Sequence, residues 1–318
     1  MKILCTGSTG FIGRHLTRKL VDQGHDVCCL ERYVVGRQFE ENSRGVVHAD
    51  LNDHATVKEI ISRKQPEVVV HLAAISPVAY SYTHWAEVLQ TNFVATANLA
   101  EVCRVYDKAL KQFIFAGTSE EYGQQREFPI KESADLRPNS PYAVSKVAAD
   151  KYLRMMWDAY GFPVTVMRPF NTYGRKDNVH LVTERIITQM LAGDRVELGN
   201  PEPIRDFIYV DDHVDAYLRV IGDNQTINRA FNICTGHGIS IRDYVTLIAE
   251  LVGWDGKIIW NTISNRPNDI AILIGDNSKA QKMLGWQPRF SLREGLQLTI
   301  EKLKEKTKWL IEVPQHGS

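Results

Sequence analysis

Three groups of residues in this sequence have the types and spacing to do chemistry. The first is Thr118-Ser119-Glu120-Glu121-Tyr122-Gly123, which follows the apolar run Phe113-Ile114-Phe115. A buried strand ending in hydroxyls and carboxylates is how an open α/β sheet presents reactive groups to a crevice. The second is Tyr142 and Lys146, four apart and so on one face of a helix that Ser140 caps and Pro141 opens. A tyrosine near its reference pKa of about 10 is a poor base at neutral pH, and a nearby ammonium favours the phenolate. Taken alone such a pair is common by chance, and a surface pair is the default reading.

The third group is Gly7, Gly10 and Gly13, spaced G-x-x-G-x-x-G directly after the first apolar run. Small residues at a first strand–helix turn let the backbone approach a pyrophosphate, whose charge is met by helix N-terminal amides. A plain tight turn is the alternative. Glu31 ends the second apolar run, where a carboxylate would bond an adenosine ribose hydroxyl and repel a 2′-phosphate. That favours NAD, while the adjacent Arg32, whose guanidinium could accept the phosphate, leaves NADP open. Asp50, after the third run, is placed to contact adenine.

These residues need a scaffold. Residues 2–6, 26–31, 46–49, 67–71, 112–116 and 164–168 read as strands, and 10–23, 54–64, 85–106 and 141–160 have helical spacing. The alternation predicts an α/β fold with a Rossmann-like, doubly wound parallel sheet, because parallel strands need crossover connections. After Pro169 the pattern loosens, with a helix over 181–191, a strand over 196–198 and short elements beyond. A smaller C-terminal α/β substrate domain is expected there. Residues 207–210 and 230–233 are candidates to return to the sheet, so the expected division is 1–168 plus about 206–234 against about 169–205 plus 235–318.

Composition narrows the class. The 318 residues suffice for one large domain or two ordinary ones. Lys plus Arg and Asp plus Glu both total 38, a balance that argues against a nucleic-acid or membrane-surface binder. The five cysteines show no metal-type pairing and read as reduced core residues. His71, His180 and His213 lack ligand spacing, so no metal is expected. The short apolar run before Thr6 is no signal peptide, and the expected setting is cytoplasmic.

Taken together, Gly7–Gly13, His71-Leu72-Ala73-Ala74, Thr118–Gly123, Tyr142–Lys146, the Arg168-to-Gly174 stretch, Arg205-Asp206-Phe207 and Arg266-Pro267 resemble the extended short-chain dehydrogenase/reductases. The likeness covers nearly the whole chain and is strongest to nucleotide-sugar epimerases and 4,6-dehydratases, above all GDP-mannose 4,6-dehydratase-like enzymes. It implies an NAD(P) domain contacted through Gly7, Gly10, Phe11, Ile12, Gly13, Glu31, Arg32, Asp50, Leu51, Leu72, Ala73, Ala74, Tyr142 and Lys146. It also implies a nucleotide-sugar partner held by Ser76, Asn92, Asn171, Arg205 and Arg266, and a homodimer through a four-helix bundle built from 85–106 and 141–160.

The same resemblance assigns the chemistry. Tyr142 would take the sugar 4-hydroxyl proton, Thr118 would orient that hydroxyl, and Lys146 would hold the ribose and tune the tyrosine. Glu120 stands where dehydratases carry an acid, and with Ser119 beside it one carboxylate would serve as base and then acid. The reading is a 4,6-dehydratase with GDP-mannose favoured, partly because Leu198-Gly199-Asn200 resembles GDP-sugar enzymes. A 4-epimerase or a 4-keto-6-deoxy-sugar reductase is the alternative, and Glu121 belongs to the reductase pattern. An Arg205–Asp206 ion pair is the plain alternative for Arg205.

Overall fold

The computed structural model describes residues 1–32, 45–174, 181–263 and 267–312, with side chains to 305. The first half alternates strand and helix: β1 (Lys2–Thr6), α1 (Phe11–Asp22), β2 (Asp26–Glu31), β3 (Val46–His48), α2 (His54–Lys64) and β4 (Val68–His71). It continues through α3 (Val78–Thr83), α4 (Trp85–Leu89), a π-helical turn (Gln90–Val94), α5 (Ala95–Tyr106), β5 (Gln112–Ala116), a 3₁₀ turn (Ser119–Tyr122), α6 (Pro141–Tyr160) and β6 (Val164–Pro169). The helix expected over 85–106 is thus three segments, because the turn at Gln90–Val94 widens without breaking the apolar pattern.

The second half is built of shorter pieces. These are β7 (Asn171–Tyr173), α7 (Val182–Ala192), β8 (Arg195–Glu197), β9 (Ile204–Arg205), β10 (Phe207–Tyr209) and α8 (Val210–Val220). Then come β11 (Arg229–Ile233), β12 (Ile239–Ser240), α9 (Ile241–Val252), β13 (Lys257–Ile259), β14 (Ile272–Leu273), α10 (Ser278–Leu284) and α11 (Leu292–Glu312).

Seven strands form one parallel sheet in the order β11-β6-β5-β4-β1-β2-β3. The order reverses between β1 and β4, and a crevice opens outside the strand ends at such a switch point. Of the two segments expected to return to this sheet, only Arg229–Ile233 does so, beside β6. Phe207–Tyr209 pairs with Asn171–Tyr173 in a separate two-stranded sheet.

Alternation along each strand sorts side chains into two layers. Ile3, Cys5, Val68, Val70, Ile114 and Met167 pack on the α1 and α8 side with Leu16, Leu20 and Val214. Leu4, Val69, Phe113, Phe115 and Val166 pack on the other side with Ile60, Leu99, Val102, Leu153 and Met156 of α2, α5 and α6. Burying a leucine-sized side chain contributes about 1.5–3 kcal/mol, so these layers hold the crevice walls rigid. The first layer continues into the C-terminal elements through Ile186, Ile187, Tyr244, Ile248 and Trp286.

Candidate active site

At the mouth of β1, Gly7 has φ +69°, and a Cβ there would stand 2.7 Å from the backbone nitrogen of Ala73. A Cβ on Gly13 would lie 2.2 Å from the Gly7 carbonyl oxygen. The loop can therefore close only on glycine. Gly10 holds the N-cap position of α1 with no side-chain cap and also lines a groove of about 280 Å³. Gly7, Glu31, Arg32, Asp50, Leu51, Leu72, Ala73 and Ala74 line the same groove. Phe11, Ile12 and Gly13 form the first turn of α1 behind it. Glu31 Oε1 accepts a hydrogen bond from Ser8 Oγ at 3.2 Å, which fixes the carboxylate at the groove edge.

Behind the groove, Ala73 N donates to Thr6 Oγ1 (3.2 Å), and His71 bonds Thr6 Oγ1 (2.7 Å) and Thr96 Oγ1 (2.8 Å). Burial first, then the charge of Lys146, pushes His71 down to about 3, so it is a neutral connector between β1, β4 and the helix layer. Thr9, Leu30, Ala49, Asn52, Thr91 and Ala95 also line the groove. Sequence reasoning missed them because their types are too ordinary to signal.

A second cavity, of about 510 Å³, gathers Thr118, Ser119, Glu120 and Tyr142 with Ser76, Tyr80, Phe170, Asn171 and Arg185. Thr118 caps the 3₁₀ turn: its Oγ1 accepts from Glu120 N (3.3 Å), and its own N–H donates to Glu121 Oε1 (2.9 Å). Ser140 Oγ accepts from Ala143 N at 3.1 Å, so α6 begins with Tyr142 at the cavity wall. Tyr142 and Thr118 line the same cavity. Burial pushes the Tyr142 phenol well up, the neighbouring Thr118 side chain opposes this, and Glu120 and Glu121 push it further up.

Lys146 is 3 % exposed, and its Nζ donates to the Ala116 carbonyl at 2.7 Å. The expected downward pull of Lys146 on Tyr142 is therefore not the arrangement found, since the ammonium is directed at the end of β5. Burial lowers Lys146 to about 8, opposed by Glu121.

The expected substrate residues divide. Ser76 and Asn171 line the cavity, and Asn171 Oδ1 is buried with no hydrogen-bond partner. Asn92 is fully buried away from it: its amide bonds both backbone groups of Ile75 (2.8 and 2.9 Å) and Ser145 Oγ (3.1 Å). The sequence pattern marks Asn92 because it holds the wall that carries Ser76. Arg205 pairs with Asp269 at 2.8 Å and not with Asp206, whose carboxylate instead accepts from Thr235 and Gly236. Arg266 and His180 lie outside the described residues. Groups of three or more metal-type ligands are absent among the described residues.

Glu121 finds its place here. It is wholly buried, with Oε2 2.9 Å from Arg168 Nε, a close charge contact off the hydrogen-bond axis. Arg168 also bonds Asp150 of α6 and the Tyr122 hydroxyl (3.0 Å), which donates to Asn232 Oδ1 (2.6 Å). Burial opposes the charge on Arg168, but Tyr122, Glu121 and Asp150 outweigh it. One sequence signal pointed this way: Tyr142, Lys146 and Asp150 recur every four residues on α6.

A glycine-rich strand–helix turn, an acidic residue ending β2 and a Tyr–Lys helix beside a second cavity define a class. It is the dinucleotide-dependent Rossmann enzymes that bind a cofactor and a substrate in adjoining clefts. Residues 4–299 match the family described as GDP-mannose 4,6 dehydratase. The chain is 33 % identical to the UDP-glucose 4-epimerase of Mycolicibacterium smegmatis, over 96 % of this chain and 100 % of that one. It is 29 % identical to dTDP-glucose 4,6-dehydratase 1 of Escherichia coli, over 98 % and 95 %. Among solved structures, the UDP-glucose 4-epimerase of Thermotoga maritima with UDP-glucose superposes with a TM-score of 0.87 at 34 % identity, covering 96 % and 100 % of the two chains. That of Thermus thermophilus, a complex with NAD, gives 0.85 at 28 %, covering 96 % and 99 %. The chain belongs to the extended short-chain dehydrogenase/reductase family, in its nucleotide-sugar epimerase and dehydratase branch.

Proposed function

We propose that this protein is an NAD-dependent nucleotide-sugar 4,6-dehydratase. One observation carries the reading: the carboxylate of Glu120 lines the same cavity as Thr118 and Tyr142. The groove fits a dinucleotide, because Gly7, Gly10 and the start of α1 form its floor and Glu31 its ribose-side wall. NAD held there would supply reversible hydride acceptance, so that hydride taken from the sugar could return to the same molecule and no net oxidant would be consumed.

The chain's own residues move the protons. Tyr142, once it has given up its own phenolic proton to solvent, accepts the proton of the sugar 4-hydroxyl, with Thr118 orienting that hydroxyl, and returns it to C5 at the end of the cycle. Lys146, inside the wall, holds the cofactor ribose. Glu120 then withdraws the C5 proton, made acidic by the neighbouring carbonyl, and delivers it to the C6 hydroxyl as that group leaves as water. Asn171, Arg205 and Arg266 are assigned to the sugar and diphosphate, and GDP-mannose is the favoured substrate.

A second reading, 4-epimerisation, is favoured by the relatives at 33 and 34 % identity. It uses Tyr142, Thr118 and Lys146 in the same way and needs no acid at Glu120. The discriminating experiment is Glu120→Gln assayed with the sugar that the wild type turns over. Reduction of bound NAD should persist while water loss stops. Unchanged turnover would remove Glu120 from the mechanism and favour the epimerase.

A homodimer belongs to the same proposal. Val94 of the π turn and Val105 of α5, and Val144 and Met155 on one side of α6, are each more than 40 % exposed, apolar surface that a second copy would cover.

A further inference from the structure

The turn after β5 carries two adjacent carboxylates, and only Glu120 reaches the cavity. Glu121 is 0 % exposed and lies behind it. A Cβ on Gly117 would fall 2.6 Å from Glu121 Oε1, so this carboxylate fills the base of the turn. Its Oε1 accepts the Thr118 N–H at 2.9 Å, and its Oε2 meets Arg168 Nε on β6. Arg168 passes on to Asp150 on α6, which also accepts from Arg154 Nε at 2.6 Å. One cation thus ties the turn bearing Thr118 to the helix bearing Tyr142 and Lys146.

The groups around the Lys146 ammonium come from each packed element. The turn contributes Glu121, β4 contributes His71, and β5 contributes the Ala116 carbonyl and the Phe115 ring 4.9 Å away. Glu121 in turn faces Arg168 from β6 and Asp150 and Lys146 from α6. Burial raises the Glu121 carboxyl to about 7 against the pull of Arg168, and His71 is neutral, so above that pH Glu121 is the anion that acts on Lys146.

We propose that Glu121 is a positioning residue: clamped by Arg168, itself anchored by Asp150, it fixes the turn that carries Thr118 beside Tyr142 and sets a negative charge beside the Lys146 latch on Ala116. A neutral amine would lose its charge-assisted bond to Ala116 and with it the latch between α6 and β5. The consequence for turnover rests on the reaction proposed above. The consequence for Lys146 itself needs no substrate.

The test follows the Lys146 side chain by NMR in protein carrying isotope-labelled lysine, with Lys146→Met to identify its signal. Wild type, Glu121→Gln and Asp150→Asn are titrated with pH. Glu121→Gln keeps an oxygen for the Thr118 N–H but removes the charge. It should lower the Lys146 midpoint by on the order of one pH unit. Asp150→Asn deprives Arg168 of a partner while leaving Glu121 in place, and should move the midpoint far less. In turnover, Glu121→Gln should reduce kcat with KM little changed and move the pH profile of NAD reduction toward lower pH, because Glu121 pushes both Lys146 and Tyr142 upward. If Glu121→Gln does not fold, Glu121→Asp, which draws the charge back by one methylene, should lower the midpoint by less. An unmoved midpoint, or an equal shift in Asp150→Asn, overturns the inference. A wild type that turns over none of the nucleotide sugars would instead count against the proposed reaction, and the Lys146 midpoint would still decide this one.

Discussion

Lys146 Nζ and the carbonyl oxygen of Ala116 stand 2.7 Å apart, joining the helix that carries Tyr142 to the strand that leads into Thr118. Tyr142 and the turn bearing Thr118 are therefore held together by one buried ammonium. The reacting groups are fixed to the sheet, not to a loose loop, so replacing one of them should leave the others in place.

Tyr142→Phe removes the proton acceptor and leaves the ring packing of α6 intact. Turnover should fall by about 10²- to 10⁴-fold, the usual worth of a positioned acid or base, with nucleotide-sugar binding largely kept. Steady-state kinetics beside calorimetric titration separates the two effects.

Gly13→Ala places a Cβ against the backbone of Gly7 and Ser8, neither of which has a flexible end to move aside. A loss of about 1–3 kcal/mol in stability is expected from the overpacking. Mass analysis of the denatured variant should find less co-purified dinucleotide than in the wild type.

Glu31→Ala removes the carboxylate from the groove edge and frees Ser8 Oγ. One lost hydrogen bond of about 1–1.5 kcal/mol should weaken NAD binding roughly tenfold. With Arg32 on the same wall, the preference for NAD over NADP should narrow or reverse. Titration with both dinucleotides reads this directly.

Asp107, which ends α5, gives a stability prediction independent of catalysis. Its Oδ1 accepts the Ala109 N–H at 2.9 Å, while Oδ2 is buried with no hydrogen-bond partner. Burial raises its carboxyl to about 6, against the two backbone bonds that lower it. A raised folded-state pKa means this group's stabilisation is present at low pH and lost as pH rises through about 6. Asp107→Asn keeps the Ala109 bond, so its Tm should exceed that of the wild type at pH 7 and the advantage should shrink by pH 5.

How far the sequence disclosed this arrangement differs by element. The strand ranges 2–6, 26–31 and 112–116 coincide with β1, β2 and β5, because each is an apolar run between polar ends, buried on both faces in β1 and β5. The break at Gln90–Val94 stayed hidden, since a π turn leaves the apolar spacing nearly unchanged. The plain alternative for Arg205, an ion pair with its neighbour Asp206, is not formed, and its partner Asp269 lies 64 residues away. Sequence cannot reveal the setting of Glu121 for the same reason, since Arg168 and Asp150 approach it only through packing of β6 and α6 on the turn. Spacing could reveal that Tyr142 and Lys146 share a face, but not that the ammonium turns toward Ala116.

The most direct measurement is product analysis after incubating the purified protein with GDP-mannose, UDP-glucose, dTDP-glucose and CDP-glucose in turn. The account expects one of them to yield a 4-keto-6-deoxy sugar, lighter by one water and absorbing in alkali. A product of unchanged mass with inverted C4 configuration would contradict dehydration and make the protein an epimerase.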